Sequence, residues 1–244
     1  MSNAIIFLLV AILDLCFVLL AWRLGKNWLI STILINIVLT STFVGKLVPI
    51  FGLVTTAGEV FYASIFIATD ILSEHHGKKI AYQSIWMGFL VLIMFTFLSQ
   101  IVLQFSTIEE SAVVASSMNT LFSIIPRIAV SSFIAYVIAQ RFDIWFFHRI
   151  RENTGKNNLW LRNNLSTITS QLFDSIIFFP LAFWGVVPFE TLLALIATGW
   201  LFKVPVAIID TPIMYLSYVV KGKEMPDFSR KRSISHESQE DRWQ

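Results

Sequence analysis

The chain has 244 residues, 56% of them hydrophobic and 22 of them Phe, against only 18 basic and 16 acidic side chains and a net charge of +2. Long apolar runs at a mean hydropathy of +0.71 mark an integral membrane protein rather than a soluble core. A single cysteine, Cys16, excludes an intrachain disulfide or a thiolate metal cluster, and no basic patch interleaved with aromatics supports nucleic-acid binding.

A helix needs about 20 apolar residues to cross roughly 30 Å of hydrocarbon. Seven stretches are predicted as spans: 3–22, 28–45, 55–74, 80–104, 119–146, 164–185 and 190–220. The first is not a secretory signal, because its basic residues, Arg23 and Lys26, follow the apolar run instead of preceding it. Between the second and third, residues 46–58 contain Pro49 and Gly52 and read as a loop or re-entrant segment. Pro126 in the fifth, and Pro205 and Pro212 in the seventh, predict kinks or breaks.

Basic residues alternate between connections. Arg23 and Lys26, Lys78 and Lys79, Arg149, Arg151, Lys156 and Arg162, then Lys221 and Lys223 fall on one side; Glu109, Glu110 and Glu190 fall on the other, with Lys46 the exception. The positive-inside rule then gives seven spans with the N-terminus outside and the C-terminus inside; without the first helix, six spans remain with both ends inside. The fold class is therefore all-α, a polytopic membrane bundle of six to seven helices over residues 1–220. Residues 221–244 hold six Lys/Arg and five Asp/Glu, too polar to bury a core, and are expected to form a disordered cytoplasmic tail.

Polar residues inside the spans carry the functional signal, since lipid cannot solvate them and they must face the bundle interior or a wet cavity. In EVFYASIFIATDILSEHHGKK (59–79), Asp70 and Glu74 are four apart and share a face with Phe66 and Tyr62. Arg127 follows Pro126 in the fifth span and is either a structural bridge to a carboxylate or a substrate contact. The sixth carries Asn164, Gln171 and Asp174, of which the first two serve a site or join helices by hydrogen bonds. In the seventh lie Lys203 and Asp210. Asp14 stands alone on its helix, and His75, His76, Lys78 and Lys79 mark a helix end. Trp22, Trp28, Trp145 and Trp160 read as interfacial anchors.

Enzyme signatures are missing. There is no HExxH, Gly-rich phosphate loop or GxSxG, and four histidines, two adjacent, make no zinc site. The spacing Asp70-x3-Glu74-x2-Gly77-x3-Ala81 is faintly similar to the acidic signature of membrane CDP-alcohol phosphotransferases, but their second acidic cluster does not follow. No cofactor, metal or catalytic residue is assigned.

Four blocks in order, TDILSEHHGKKIA (69–81), PRIAVSSFIAYVIAQRFDIWFF (126–147), LWLRNNLSTITSQLFDSIIFFPLAFWG (159–185) and LFKVPVAIIDTPIMY (201–215), together resemble the queuosine-precursor transporter family within the vitamin uptake transporters. Tyr62-Ala63 departs from the Phe-Pro that many members have before the acidic motif. The resemblance implies import of 7-deazaguanines such as preQ0 and preQ1, or of queuine, through a bundle similar to the substrate-binding subunits of energy-coupling-factor transporters in a bacterial inner membrane. Partners would be the small base and the bilayer, and a homo-oligomer is compatible with the sequence.

The chemistry fits such a ligand. A deazaguanine edge presents two adjacent N–H donors beside a carbonyl; a carboxylate accepts both donors, and an amide or cation satisfies the carbonyl. The expectation is that Glu74 or Asp174 reads the edge and Lys203 or Arg127 balances the charge. The other carboxylate would meet an aminomethyl cation, and Tyr62, Phe66 and Phe178 would stack on the ring. Rival readings are a transporter of another vitamin-like or purine compound, an intramembrane phosphotransferase using Asp70 and Glu74, and a scaffold whose charges only hold helices.

Overall fold

The computed structural model describes residues 2–154 and 159–220; the tail at 221–244 lies outside the described residues, as do some side chains, Asn164 and Asp210 among them. In chain order the elements are α1 (Asn3–Leu24), α2 (Lys26–Phe43), β1 (Leu47–Ile50), β2 (Leu53–Thr56), α3 (Glu59–His76), α4 (Lys78–Val102), a 3-10 turn (Glu109–Ser111), α5 (Ala112–Phe122), α6 (Ile125–Thr154), α7 (Leu159–Phe183) and α8 (Phe189–Val220). The expected all-α character holds, apart from one hairpin.

Single glycines turn the chain at two joints. Gly25 lies between α1 and α2 at φ +126°, its N–H bonded to the carbonyls of Ala21 and Trp22. Gly77, at φ +88°, joins α3 to α4 and bonds Ser73. Positive φ carries little steric cost without a Cβ, so each joint reverses the chain within one residue.

Residues 46–58 are neither loop nor simple re-entry. β1 and β2 pair antiparallel, with Leu47 opposite Thr56 and Ile50 opposite Leu53. The two turn residues, Phe51 and Gly52, have φ of +51° and +77°, the sign pattern of a type I′ turn, whose twist suits a two-residue hairpin. Two side chains tether the hairpin: Asn3 Nδ2 donates to the Pro49 carbonyl at 3.0 Å, and Thr198 Oγ1 donates to the Val54 carbonyl at 2.6 Å.

The predicted fifth span divides in two. α5 ends at Phe122 and α6 begins at Ile125, which places Pro126 in the first turn of a helix, where its missing N–H costs nothing. The breaks expected at Pro205 and Pro212 do not occur, since α8 is helical from Phe189 to Val220; bundled helices tolerate proline where neighbouring groups take up the freed carbonyls.

Two apolar clusters hold the bundle. One joins α1, α2, α3 and α8 through Val18, Trp22, Leu29, Ile33, Ile71 and Ile213, among others. The other joins the end of α2 to α6, α7 and α8 through Val44, Ile128, Phe179, Phe183 and Leu195. Gly199 allows the second to close, because a Cβ there would stand 2.2 Å from the Phe179 ring.

Large apolar side chains also cover the outside, including Leu8, Phe17, Trp86, Phe97 and Val113, as a lipid-facing surface requires. Among the described residues, the helical stretches Asn3–Leu24, Lys79–Val102 and Glu109–Ala139 are long and apolar enough to cross a membrane.

Candidate functional site

Asp174 on α7 and Lys203 on α8 are both buried, at 6% and 8% exposure, and Lys203 Nζ lies 2.6 Å from Asp174 Oδ2. Tyr62 on α3 completes the group. Its hydroxyl donates to the same Oδ2 at 3.2 Å, and Lys203 Nζ sits 4.5 Å from the centre of its ring, within cation–π range. Ser175 Oγ stands 3.5 Å from the ammonium. A buried ion pair is tolerable only when further polar contacts satisfy both charges, and Tyr62 supplies one to each partner.

This cluster lines a cavity of about 110 Å³, room for several waters when one needs about 10–15 Å³. Aromatic rings form much of its wall. Tyr62 and Phe66 meet edge to face at 4.9 Å, Phe89 and Tyr136 lie 5.2 Å apart, and Phe178 faces them from α7. The end beneath the hairpin is polar, lined by Thr40, Ser41, Thr56 and Glu59. Glu59 is 8% exposed and lies within electrostatic reach of Lys203 and Asp174. Gly58 makes that end possible: a Cβ there would meet the Thr40 carbonyl at 2.7 Å and the Val44 nitrogen at 2.9 Å, so only glycine lets α3 begin this close to the end of α2.

Of the residues expected at a site, Tyr62, Phe66, Asp174, Phe178 and Lys203 come together around the cavity. Asp70 and Glu74 do not. Each i, i+4 step turns the helical face by about 40°, so Glu74 lies about 120° around α3 from Tyr62. The pair is exposed on α3, outside the cavity lining, and Glu74 accepts a hydrogen bond from the Tyr218 hydroxyl.

Among the described residues Arg127 bridges to no carboxylate, and it lies outside this cavity, in a separate open groove of about 360 Å³ beside Val130, Ile134 and Leu181. Its Nε donates to the Leu181 carbonyl and its Nη2 to the Trp184 carbonyl, both at 2.7 Å, closing carbonyls at the end of α7 that the helix itself leaves unpaired. Gln171 is half-buried and outside the lining, its Oε1 without a hydrogen-bond partner among the described residues. The side chain of Asn164 lies outside the described residues.

Glu59 lines the cavity although the sequence pattern points to Asp70 and Glu74 on the same helix. Its signal was available: it stands three residues before Tyr62 and seven before Phe66, a spacing that keeps all three on one face. Asp14 also acquires a partner. Asn36 Nδ2 on α2 lies 3.2 and 3.1 Å from its two carboxylate oxygens, a buried polar clasp between α1 and α2.

Away from the hairpin, the far ends of α1, α3 and α8 are knitted together. Trp22 Nε1 donates to the Ser217 carbonyl at 2.9 Å, the His75 ring stacks on Trp22 at 4.4 Å, and His75 Nε2 lies 2.8 Å from Ser217 Oγ. His75 and Trp22 thus act as a packed joint rather than as a simple helix end and interfacial anchor.

Residues 56–217 match the vitamin uptake transporter family. Among curated proteins, the chain is 36% identical over 217 residues to the "Probable queuosine precursor transporter" of Bacillus subtilis (strain 168), covering 88% of this chain and 94% of that one. It is 28% identical over 157 residues to the "Queuosine precursor transporter" of Escherichia coli (strain K12), covering 64% of this chain and 68% of the relative. No solved structure matches the chain.

Proposed function

Because the chain belongs to the vitamin uptake transporter family, a family of transporters and not of enzymes, we propose that it imports queuosine precursors, 7-deazaguanine bases such as preQ0, preQ1 or queuine, across a bacterial inner membrane. The names of the relatives support the substrate class. The observation that carries the site is the cavity lined by the Lys203–Asp174–Tyr62 cluster and by Glu59, walled by aromatic rings. A flat polar base gains ring stacking from such walls, at about 1–3 kcal/mol per base, and its edges find charged partners in the lining.

The reading includes seven spans, α1 to α4 and α6 to α8, in a bundle of the style of energy-coupling-factor substrate-binding subunits. With the N-terminus outside, the hairpin and Glu59 face the exterior, and the Trp22–His75–Ser217 joint faces the cytoplasm.

Complementation tests it. A strain unable to make preQ0 that carries this protein should regain queuosine in its tRNA when preQ0, preQ1 or queuine is supplied at low concentration. Growth with each precursor and no queuosine above the empty-vector level would reject the reading. Binding measured in parallel with preQ1, guanine and biotin separates this substrate class from other vitamins and purines.

A further inference from the structure

We propose that Glu59, in the part of the cavity lining that includes Thr40 and Thr56, forms the subsite that takes the donor edge of the transported base: a ring N–H and an adjacent exocyclic amino group. The inference deepens the queuosine-precursor reading and rests on it.

Three observations converge. Asp174 is already engaged by Lys203 and Tyr62, and Glu74 by Tyr218 outside the cavity. Glu59 is therefore the acidic side chain of the cavity lining with no hydrogen bond among the described residues, and it is more than nine-tenths buried. Thr40 Oγ1 and Thr56 Oγ1 line the same end, buried and without hydrogen-bond partners among the described residues. Buried polar groups are rarely left unmatched in a native fold, so this end of the cavity is built for a ligand or water that completes it.

The chemistry of the set defines that ligand. A carboxylate has two acceptor oxygens and no donor, and it pairs best with two parallel N–H groups. In a 2-amino-4-oxopyrimidine ring the ring N–H and the exocyclic amino group present two such parallel donors. In the same lining the ammonium of Lys203 is already held by Asp174, which leaves the Glu59 carboxylate as the acceptor for the donor edge.

The test is equilibrium calorimetry on the full chain in lipid nanodiscs, with 7-deazaguanine and 7-deazahypoxanthine, which differ only by the exocyclic amino group. Wild type should bind 7-deazaguanine at least about tenfold more tightly, the worth of one charge-assisted hydrogen bond. Glu59→Gln should reduce that preference to about twofold or less by weakening 7-deazaguanine alone, since an amide cannot accept both donors. A preference left intact in Glu59→Gln overturns this inference but not the transport reading, whereas wild-type protein that binds neither base defeats both. A wild-type measurement guards against a variant that fails to fold: 1-methyl-7-deazaguanine, whose ring N–H is blocked, should bind at least about tenfold more weakly than the parent base, and equal binding overturns the subsite.

Discussion

Asp174 Oδ2 receives both the Lys203 ammonium, at 2.6 Å, and the Tyr62 hydroxyl, at 3.2 Å, so one oxygen ties α8 and α3 to α7. Removing either member of the ion pair strands a buried charge, at a cost of about 3–5 kcal/mol, whereas removing both is often close to neutral. Asp174→Asn and Lys203→Met should each lower the unfolding midpoint in detergent, and the double variant should recover most of the loss. Uptake should be lost in all three, because the cavity then lacks its charged end. Equal destabilisation by the double variant and the singles would show that the pair is not coupled as described.

Tyr62→Phe removes the hydroxyl and leaves the ring beneath the ammonium. It should cost about 0.5–1.5 kcal/mol of stability, the net worth of one hydrogen bond. Tyr62→Leu should cost more, since the cation–π contact and the edge-to-face contact with Phe66 go with the ring. Thermal unfolding of the two variants side by side decides the order.

Much of this arrangement was legible beforehand, and the gaps have physical causes. The helices, the chain reversals and the inward stripes of α7 and α8 follow from hydropathy and spacing, which is why Asp174, Lys203, Tyr62, Phe66 and Phe178 could be named together. Arg127 could not be placed, because its partners are the carbonyls of Leu181 and Trp184, and backbone groups leave no mark in residue type. Asp14 looked solitary because Asn36 is 22 residues away on another helix. Asp70 and Glu74 drew attention as adjacent charges, yet an i, i+4 series rotates steadily away from its starting face. Glu59, at a helix start, reads like an ordinary first-turn acid that favours the helix dipole.

Arg127→Gln should loosen the end of α7 without touching the base. Loss of two charge-assisted bonds to carbonyls predicts a stability decrease of about 1–3 kcal/mol. The affinity for 7-deazaguanine should stay within about twofold, as expected for sites that share no partners. A tenfold weaker affinity with unchanged stability would return Arg127 to the binding site.

Asn36→Leu should destabilise the α1–α2 pair by about 0.5–1.5 kcal/mol, the net worth of one hydrogen bond, because Ser64 still bonds the Asp14 carboxylate. Asp14→Leu combined with Asn36→Leu should restore much of that loss. The two thermal unfolding curves read the difference directly.

Glu74→Gln and Tyr218→Phe alter the α3–α8 contact at the end remote from the hairpin. Each should leave equilibrium binding within about twofold while changing the rate of uptake in vesicles. Binding that collapses in Glu74→Gln would place this carboxylate in the site after all.

The hairpin of β1 and β2 pairs its own peptide groups strand to strand, and its side-chain tethers to the helices are Asn3 and Thr198. A two-stranded ribbon pairs only its inward-facing peptide groups, so the outward carbonyls of Pro49 and Val54 depend on those two side chains. Loosening it means parting those two side-chain bonds and the apolar contacts of Leu47 and Val54 with the cluster around Phe179, whereas unwinding a helix over the same opening would strip several backbone bonds at once.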